Sequence, residues 1–178
     1  MEKIEFIKDP ILEAEQLLAN KNELKLEDLK ELKERGFSTE KFLTYLNKKH
    51  GYLFHGSRAE ISFGEKIKSS KGKLFATNEG SVAIIKALFA NNVSGLKNLG
   101  YSLNNDSEQK VIIEGNVEIG DVISEKGYVY IFNGGGFGNE DTQGKAEFSK
   151  KDSDEGESII KIIEIEKADF KYQIEQLS

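Results

Sequence analysis

The sequence predicts an α+β fold, in which a mostly antiparallel β-sheet carries helices at one side. Two observations support this class. Residues 1–50 repeat apolar side chains at helical spacing, whereas from residue 51 onwards the apolar runs are short, β-rich and interrupted by glycine. A run of helices followed by a run of strands is typical of α+β proteins. The change divides the chain into a helical segment over 1–50 and a second domain over 51–178.

Three helices are predicted in the first segment. The first begins at Asp9 and Pro10, because aspartate is a favoured N-cap residue and proline is favoured at the first helical position. The second covers 26–36 and ends at Gly36, where a left-handed C-cap favours glycine. The third covers 38–50. The short connections between them indicate a compact bundle or a pair of helical hairpins.

Five strands and one helix are predicted in the second segment. The strands cover 52–56, 73–77, 110–115, 127–133 and 158–165. The helix covers 79–92, between the second and third strands. The stretch 111–123 also fits a hairpin that turns at Gly115 and Asn116. The charged stretch 150–157 predicts a solvated loop before the last strand.

The composition excludes several classes of function. A net charge of −6 argues against nonspecific nucleic-acid binding, which needs lysine and arginine against phosphates. The chain has no cysteine and two histidines, so it offers no disulfide, no thiolate nucleophile and no dedicated transition-metal site. No apolar run approaches the roughly 18 residues that a membrane-spanning helix needs, and the charged N-terminus lacks a signal-peptide core. We therefore expect no membrane partner and a cytoplasmic location.

One short stretch, 53-LFHGSR-58, combines polar groups at the end of a predicted strand. His55 brings an imidazole, Gly56 leaves its backbone open to close approach, and Ser57 adds a hydroxyl. These groups together predict a small polar cradle for a ligand. The ordinary alternative is that His55 is a buried structural histidine.

Three pieces of the chain resemble the ADP-ribosyltransferase superfamily, in its poly-ADP-ribose-polymerase and RNA-2′-phosphotransferase branch. The pieces are 53-LFHGSR-58, 72-GKLFATNEGSVAI-84, and 127-GYVYIF-132 followed by 146-AEFSKKD-152. The resemblance covers roughly residues 51 to 170 and is closest to short bacterial members. It implies a split, mostly antiparallel sheet and NAD as substrate, with ADP-ribose transferred to a protein or nucleotide acceptor and nicotinamide released.

The resemblance also implies which residues contact NAD. The backbone of Gly56 would pair with the nicotinamide carboxamide, and His55 would bond the adenine-side ribose. The complete cofactor-binding set is His55, Gly56, Ser57, Arg58 and Tyr130. His55 is also implied as a catalytic residue.

Glu147 is the acidic residue that the resemblance implies for catalysis, with Glu140 and Gln143 as alternatives in the same region. Breaking the bond to nicotinamide builds positive charge on the ribose. A carboxylate bonded to a ribose hydroxyl offsets that charge.

The chain departs from the family at one position. Polymerase-like members stack a helical tyrosine on nicotinamide, and Ile85 stands there in this chain. The stacking ring would then come from Tyr128, Tyr130 or Phe89. The departure supports an alternative, in which the chain is an inactive relative that binds a nucleotide-like ligand or a protein. A third reading, a phosphorylated RNA end as substrate, requires a cationic cleft, and Arg58 is the one cation at the cradle.

Overall fold

The computed structural model describes residues 8–68, 72–102, 110–139, 147–151 and 156–178. Its helices are α1 (Pro10–Asn20), α2 (Leu26–Glu34), α3 (Thr39–His50), α4 (Gly80–Leu88) and α5 (Ile119–Val122), with a 3-10 helix at Lys167–Asp169. Its strands are β1 (Glu23–Leu24), β2 (Leu53–Ser57), β3 (Lys66–Ile67), β4 (Lys73–Thr77), β5 (Leu96–Ser102), β6 (Lys110–Gly115), β7 (Lys126–Phe132), β8 (Gly138–Asn139), β9 (Glu147–Lys151), β10 (Glu157–Ser158), β11 (Lys161–Glu166) and β12 (Gln173–Leu177).

The strands form one large sheet, one small sheet and a short ribbon. The large sheet has the order β1-β11-β7-β2-β4-β9-β8, and all its pairs are antiparallel except β1 with β11. The small sheet has the order β12-β6-β5, and β10 pairs with β3. This architecture confirms the α+β class and the mostly antiparallel sheet. Within the described ranges, no helix is long and apolar enough to cross a membrane.

The three N-terminal helices form where the sequence predicts them. The Asp9 carboxylate accepts a hydrogen bond of 2.9 Å from the Ile11 amide at the start of α1. Gly36, just beyond α2, has φ +91°, and Gly51 ends α3 in the left-handed region at φ +71°. These helices share a hydrophobic core with α4 and the large sheet, and Phe42 is fully buried in it. The predicted boundary after residue 50 is therefore a change in sequence pattern, and the segments on its two sides share one hydrophobic core.

Several local predictions are wrong in detail. The stretch 111–123 is not a hairpin: β6 pairs with β5 and β12, and the chain after Gly115 enters α5. The predicted helix over 79–92 ends at Leu88, after which Phe89 forms a bridge with Ile123. The last predicted strand is interrupted into β10 and β11. The expected loop over 150–157 contributes its first two residues to β9 and its last to β10.

Helix α4 lies directly on two strand glycines. A β-carbon placed on Gly56 of β2 would lie 2.2 Å from the Ala83 carbonyl oxygen. One on Gly127 of β7 would lie 1.9 Å from the Ala87 carbonyl oxygen. Real β-carbons do not approach backbone atoms so closely, so both positions need a residue without a side chain. The contact sets how closely α4 packs against the centre of the sheet.

We predict that Gly56→Ala lowers the free energy of unfolding by about 1–3 kcal/mol or more, because the new methyl group overpacks the interface with α4. The measurement is urea unfolding followed by circular dichroism. Gly100→Ala is the matched control, since Gly100 also lies in a strand, but a β-carbon there has no atom within 4 Å. Equal stability of the two variants would contradict the assignment of Gly56 as a packing glycine.

Candidate functional site

His55 projects from the face of the large sheet that is opposite α4. In β2, Phe54 packs into the core beneath α4, so the alternation of a strand directs its neighbour His55 to the other side. The register with β7 places His55 directly opposite Tyr130. Tyr130 and Phe132 belong to a second hydrophobic cluster on that face. We call this side of the sheet the His55 face.

The large sheet opens between β2 and β4 beside His55. The two strands are paired only at Phe54 and Thr77, whereas β2 is paired with β7 along its whole length. In the opening, the imidazole Nδ1 of His55 lies 2.9 Å from the Phe75 carbonyl oxygen. The side chain of His55 thus bridges two strands where their backbones no longer pair.

This contact determines the tautomer of His55. A carbonyl oxygen only accepts hydrogen bonds, so Nδ1 must carry the proton and donate it to Phe75. Burial lowers the pKa of His55 below its ordinary 6.5; the bond to Phe75 opposes this shift and the positive charge of Lys86 adds to it. The ring is therefore neutral at pH 7. Its Nε2 is then an unprotonated acceptor.

Aromatic rings extend from His55 across its face. The Phe132 ring lies 6.4 Å from the imidazole, and the Phe137 ring is stacked on Phe132 at 6.0 Å. Lys150 covers Phe137, with its Nζ 5.7 Å from the ring, and forms an ion pair of 2.8 Å with Glu157. Phe137 belongs to the glycine-rich stretch 134-GGGFGN-139, so this stretch lies beside the His55 face.

Tyr130 is on the same face but is not available to a cofactor. It is fully buried, and its hydroxyl donates to the Ala59 carbonyl oxygen at 2.5 Å and accepts from the Ile61 amide at 2.7 Å. Burial raises the pKa of Tyr130 to about 12, so the hydroxyl stays protonated. Tyr130 therefore does not present its ring to a cofactor, as the resemblance implies. Its hydroxyl instead holds the segment that contains Ala59 and Ile61.

Gly56 and Arg58 belong to the opposite side. A side chain at Gly56 would enter the backbone of α4, so this position faces the helix. The Arg58 guanidinium lies 3.4 Å from the Ser124 hydroxyl, and the amide of Ser124 in turn bonds the last residue of α4, Leu88. This place at the C-terminal end of a helix suits a cation. The structure thus separates both residues from the His55 imidazole.

Glu147 is not brought together with His55. It begins β9 and is paired with Thr77, which is in turn paired with Phe54, so these three side chains share the α4 side of the sheet. Glu147 is exposed, and its charge raises the pKa of Tyr101 in addition to the larger effect of burial. Two strand spacings, about 10 Å, also separate its backbone from β2.

On the His55 face, the described part of β9 presents Phe148 and Lys150 instead of a carboxylate. The alternatives Glu140 and Gln143 lie outside the described residues. Ser57 is the one further candidate that the structure leaves beside His55. Its hydroxyl accepts a 3.1 Å hydrogen bond from the Ala59 amide and keeps its own proton to donate.

Sequence reasoning missed two features of the site. The Phe75 carbonyl that orients His55 is a backbone group, which no residue pattern signals. Phe132 was predicted as a strand residue without a role in the site. Because side chains alternate along a strand, its position next to Ile131 was the available signal that it lies on the same face as His55. Two surface cavities lie elsewhere: one of about 780 Å³ beside Gly95 and one of about 570 Å³ beside Lys30.

Comparisons with protein-family models, with curated proteins and with solved structures find no match to this chain. Within the ranges that the structure describes, no group of three or more histidine, aspartate and glutamate side chains is placed to hold a metal ion.

We predict that His55 makes the stability of the protein depend on pH below about 6.5. Its folded pKa lies below the unfolded value of 6.5, so protonation favours the unfolded chain. The contribution is complete above 6.5 and is lost as the pH falls through the depressed folded pKa. His55→Asn keeps an N–H donor for Phe75 but does not titrate. The free energy of unfolding of the wild type should fall relative to this variant on acidification. Parallel pH curves would contradict the lowered pKa of His55.

Proposed function

We propose that this chain is a binding module for a nucleotide-like ligand, with NAD as the first ligand to test, and that it does not transfer ADP-ribose. The ligand binds on the His55 face, at the opening between β2 and β4. The observation that carries the proposal is the hydrogen bond from His55 Nδ1 to the Phe75 carbonyl, because it leaves Nε2 as a fixed acceptor. The opening beside that bond supports a split sheet of the ADP-ribosyltransferase type.

A ribose is the part of a nucleotide that complements these groups. Its hydroxyls donate to an unprotonated imidazole nitrogen, and the Ser57 hydroxyl on the same face can donate or accept. A phosphate does not complement Nε2, because both groups are acceptors. The Lys150 cation on this face is already paired with Glu157. These features favour a ribose contact over the phosphorylated RNA end.

The position of Glu147 supports binding without catalysis. Cleavage of the nicotinamide bond needs a carboxylate near the ribose to offset the developing charge. Glu147 lies on the other face, and the described residues of β9 that share the His55 face are Phe148 and Lys150. Ile85, which stands where the resemblance implies a stacking tyrosine, belongs to α4 and is buried in the core. The proposal keeps the cytoplasm as the expected location, since NAD is available there.

The test is a titration of the full chain with NAD, together with an assay for released nicotinamide. We predict that the wild type binds and releases no nicotinamide above the uncatalysed rate. His55→Asn keeps the Nδ1 donor position but loses Nε2, so its affinity should fall about tenfold, the value of one hydrogen bond.

His55→Gln is the matched control, because its amide oxygen can reach the position of Nε2 and should restore part of the affinity. Absence of NAD binding by the wild type at millimolar concentration would remove the proposal. If nicotinamide is released and the release depends on Glu140, Gln143 or Glu147, the chain is a transferase and not a binding module.

A further inference from the structure

We propose that Tyr130 is the positioning residue of the ligand site: through the backbone of Ala59, its hydroxyl holds the Ser57 hydroxyl in place. This inference rests on the proposed function, since Ser57 is one of the two groups assigned to the ligand. Tyr130 itself touches no ligand.

The chain of contacts has two links. The Tyr130 hydroxyl donates to the carbonyl oxygen of Ala59 at 2.5 Å, and the amide of Ala59 donates to Ser57 Oγ at 3.1 Å. Both polar backbone groups of Ala59 are therefore held by side chains. A third bond, 2.7 Å from the Ile61 amide to the Tyr130 hydroxyl, fixes the chain two residues further on.

The surroundings make this arrangement rigid. The Tyr130 ring is fully buried, and the Tyr128 ring is stacked on it at 6.2 Å. Ile61 packs against the same cluster. The hydroxyl therefore presents one donor and one acceptor at a fixed point, and both are used by the segment that follows β2. Because Ser57 is the last residue of β2, this segment decides where its hydroxyl points.

Tyr130→Phe removes one oxygen atom and keeps the ring, so it tests the hydroxyl alone. We expect NAD to bind this variant roughly five- to tenfold more weakly, as for the loss of one hydrogen bond. Ser57→Ala should have a similar effect. The double variant should bind no more weakly than Ser57→Ala, because the tyrosine acts only through the serine.

Tyr172→Phe is the matched control. The Tyr172 hydroxyl donates to the Glu40 carboxylate of α3 at 2.8 Å, so this variant also loses a tyrosine hydrogen bond, but not one to the segment after β2. Its NAD affinity should equal that of the wild type. A purely structural tyrosine would lower stability without the dependence on Ser57.

A readout without ligand separates this inference from the proposed function. The Ile61 amide should exchange its hydrogen about tenfold faster in Tyr130→Phe than in the wild type, since its acceptor is gone. The positioning role would be overturned if the Ile61 amide exchanged at an unchanged rate, or if Tyr130→Phe were unfolded or bound NAD with wild-type affinity. It would also be overturned if the losses of NAD affinity of the two single variants multiplied in the double variant. If the wild type fails to bind NAD but the Ile61 amide still exchanges faster in Tyr130→Phe, the proposed function is wrong, whereas the bond by which Tyr130 holds the segment after β2 is supported.

Discussion

The close contact between α4 and two strand glycines is the constraint on which the rest of the structure depends. Gly56 and Gly127 lie in neighbouring strands, and the carbonyl groups of α4 occupy the space that their side chains would fill. Because the helix lies so close, one face of β2 and β7 is sealed by its backbone and by the surrounding core. Polar groups of β2 that are to meet a ligand must therefore project from the other face.

This division places the residues that the family resemblance implies for NAD binding on two different faces of the sheet. His55 and Ser57 alternate with Gly56 along β2, so this strand divides the three residues between two faces, and Arg58, just beyond the strand, contacts Ser124. The same alternation in β9 separates Glu147 from Phe148. A sequence motif gives the order of residues but not the face of the sheet on which each side chain lies. A shift of one residue in strand register would exchange every side chain between the two faces.

Local features of the fold could be predicted because their causes are local. The Asp9 cap, the glycine after α2 and the short apolar run of β4 depend on neighbours within a few residues. Pairings between distant segments were not predictable in this way. The parallel pairing of β12 with β6 joins segments about sixty residues apart, and the local pattern suggested a hairpin instead. The bridge from His55 to Phe75 likewise depends on where β2 and β4 separate, which only tertiary packing decides.

We propose that the neutral imidazole of His55, a fixed acceptor at the opening of the sheet, binds a ligand hydroxyl. The most direct measurement is the nitrogen NMR spectrum of the His55 imidazole at neutral pH, recorded with and without NAD. We predict a protonated Nδ1 and an unprotonated Nε2, with the Nε2 resonance moving as NAD is added. A ring protonated at Nε2, or an Nε2 resonance that does not move at saturating NAD, would contradict the role of His55 as the acceptor for a ligand hydroxyl.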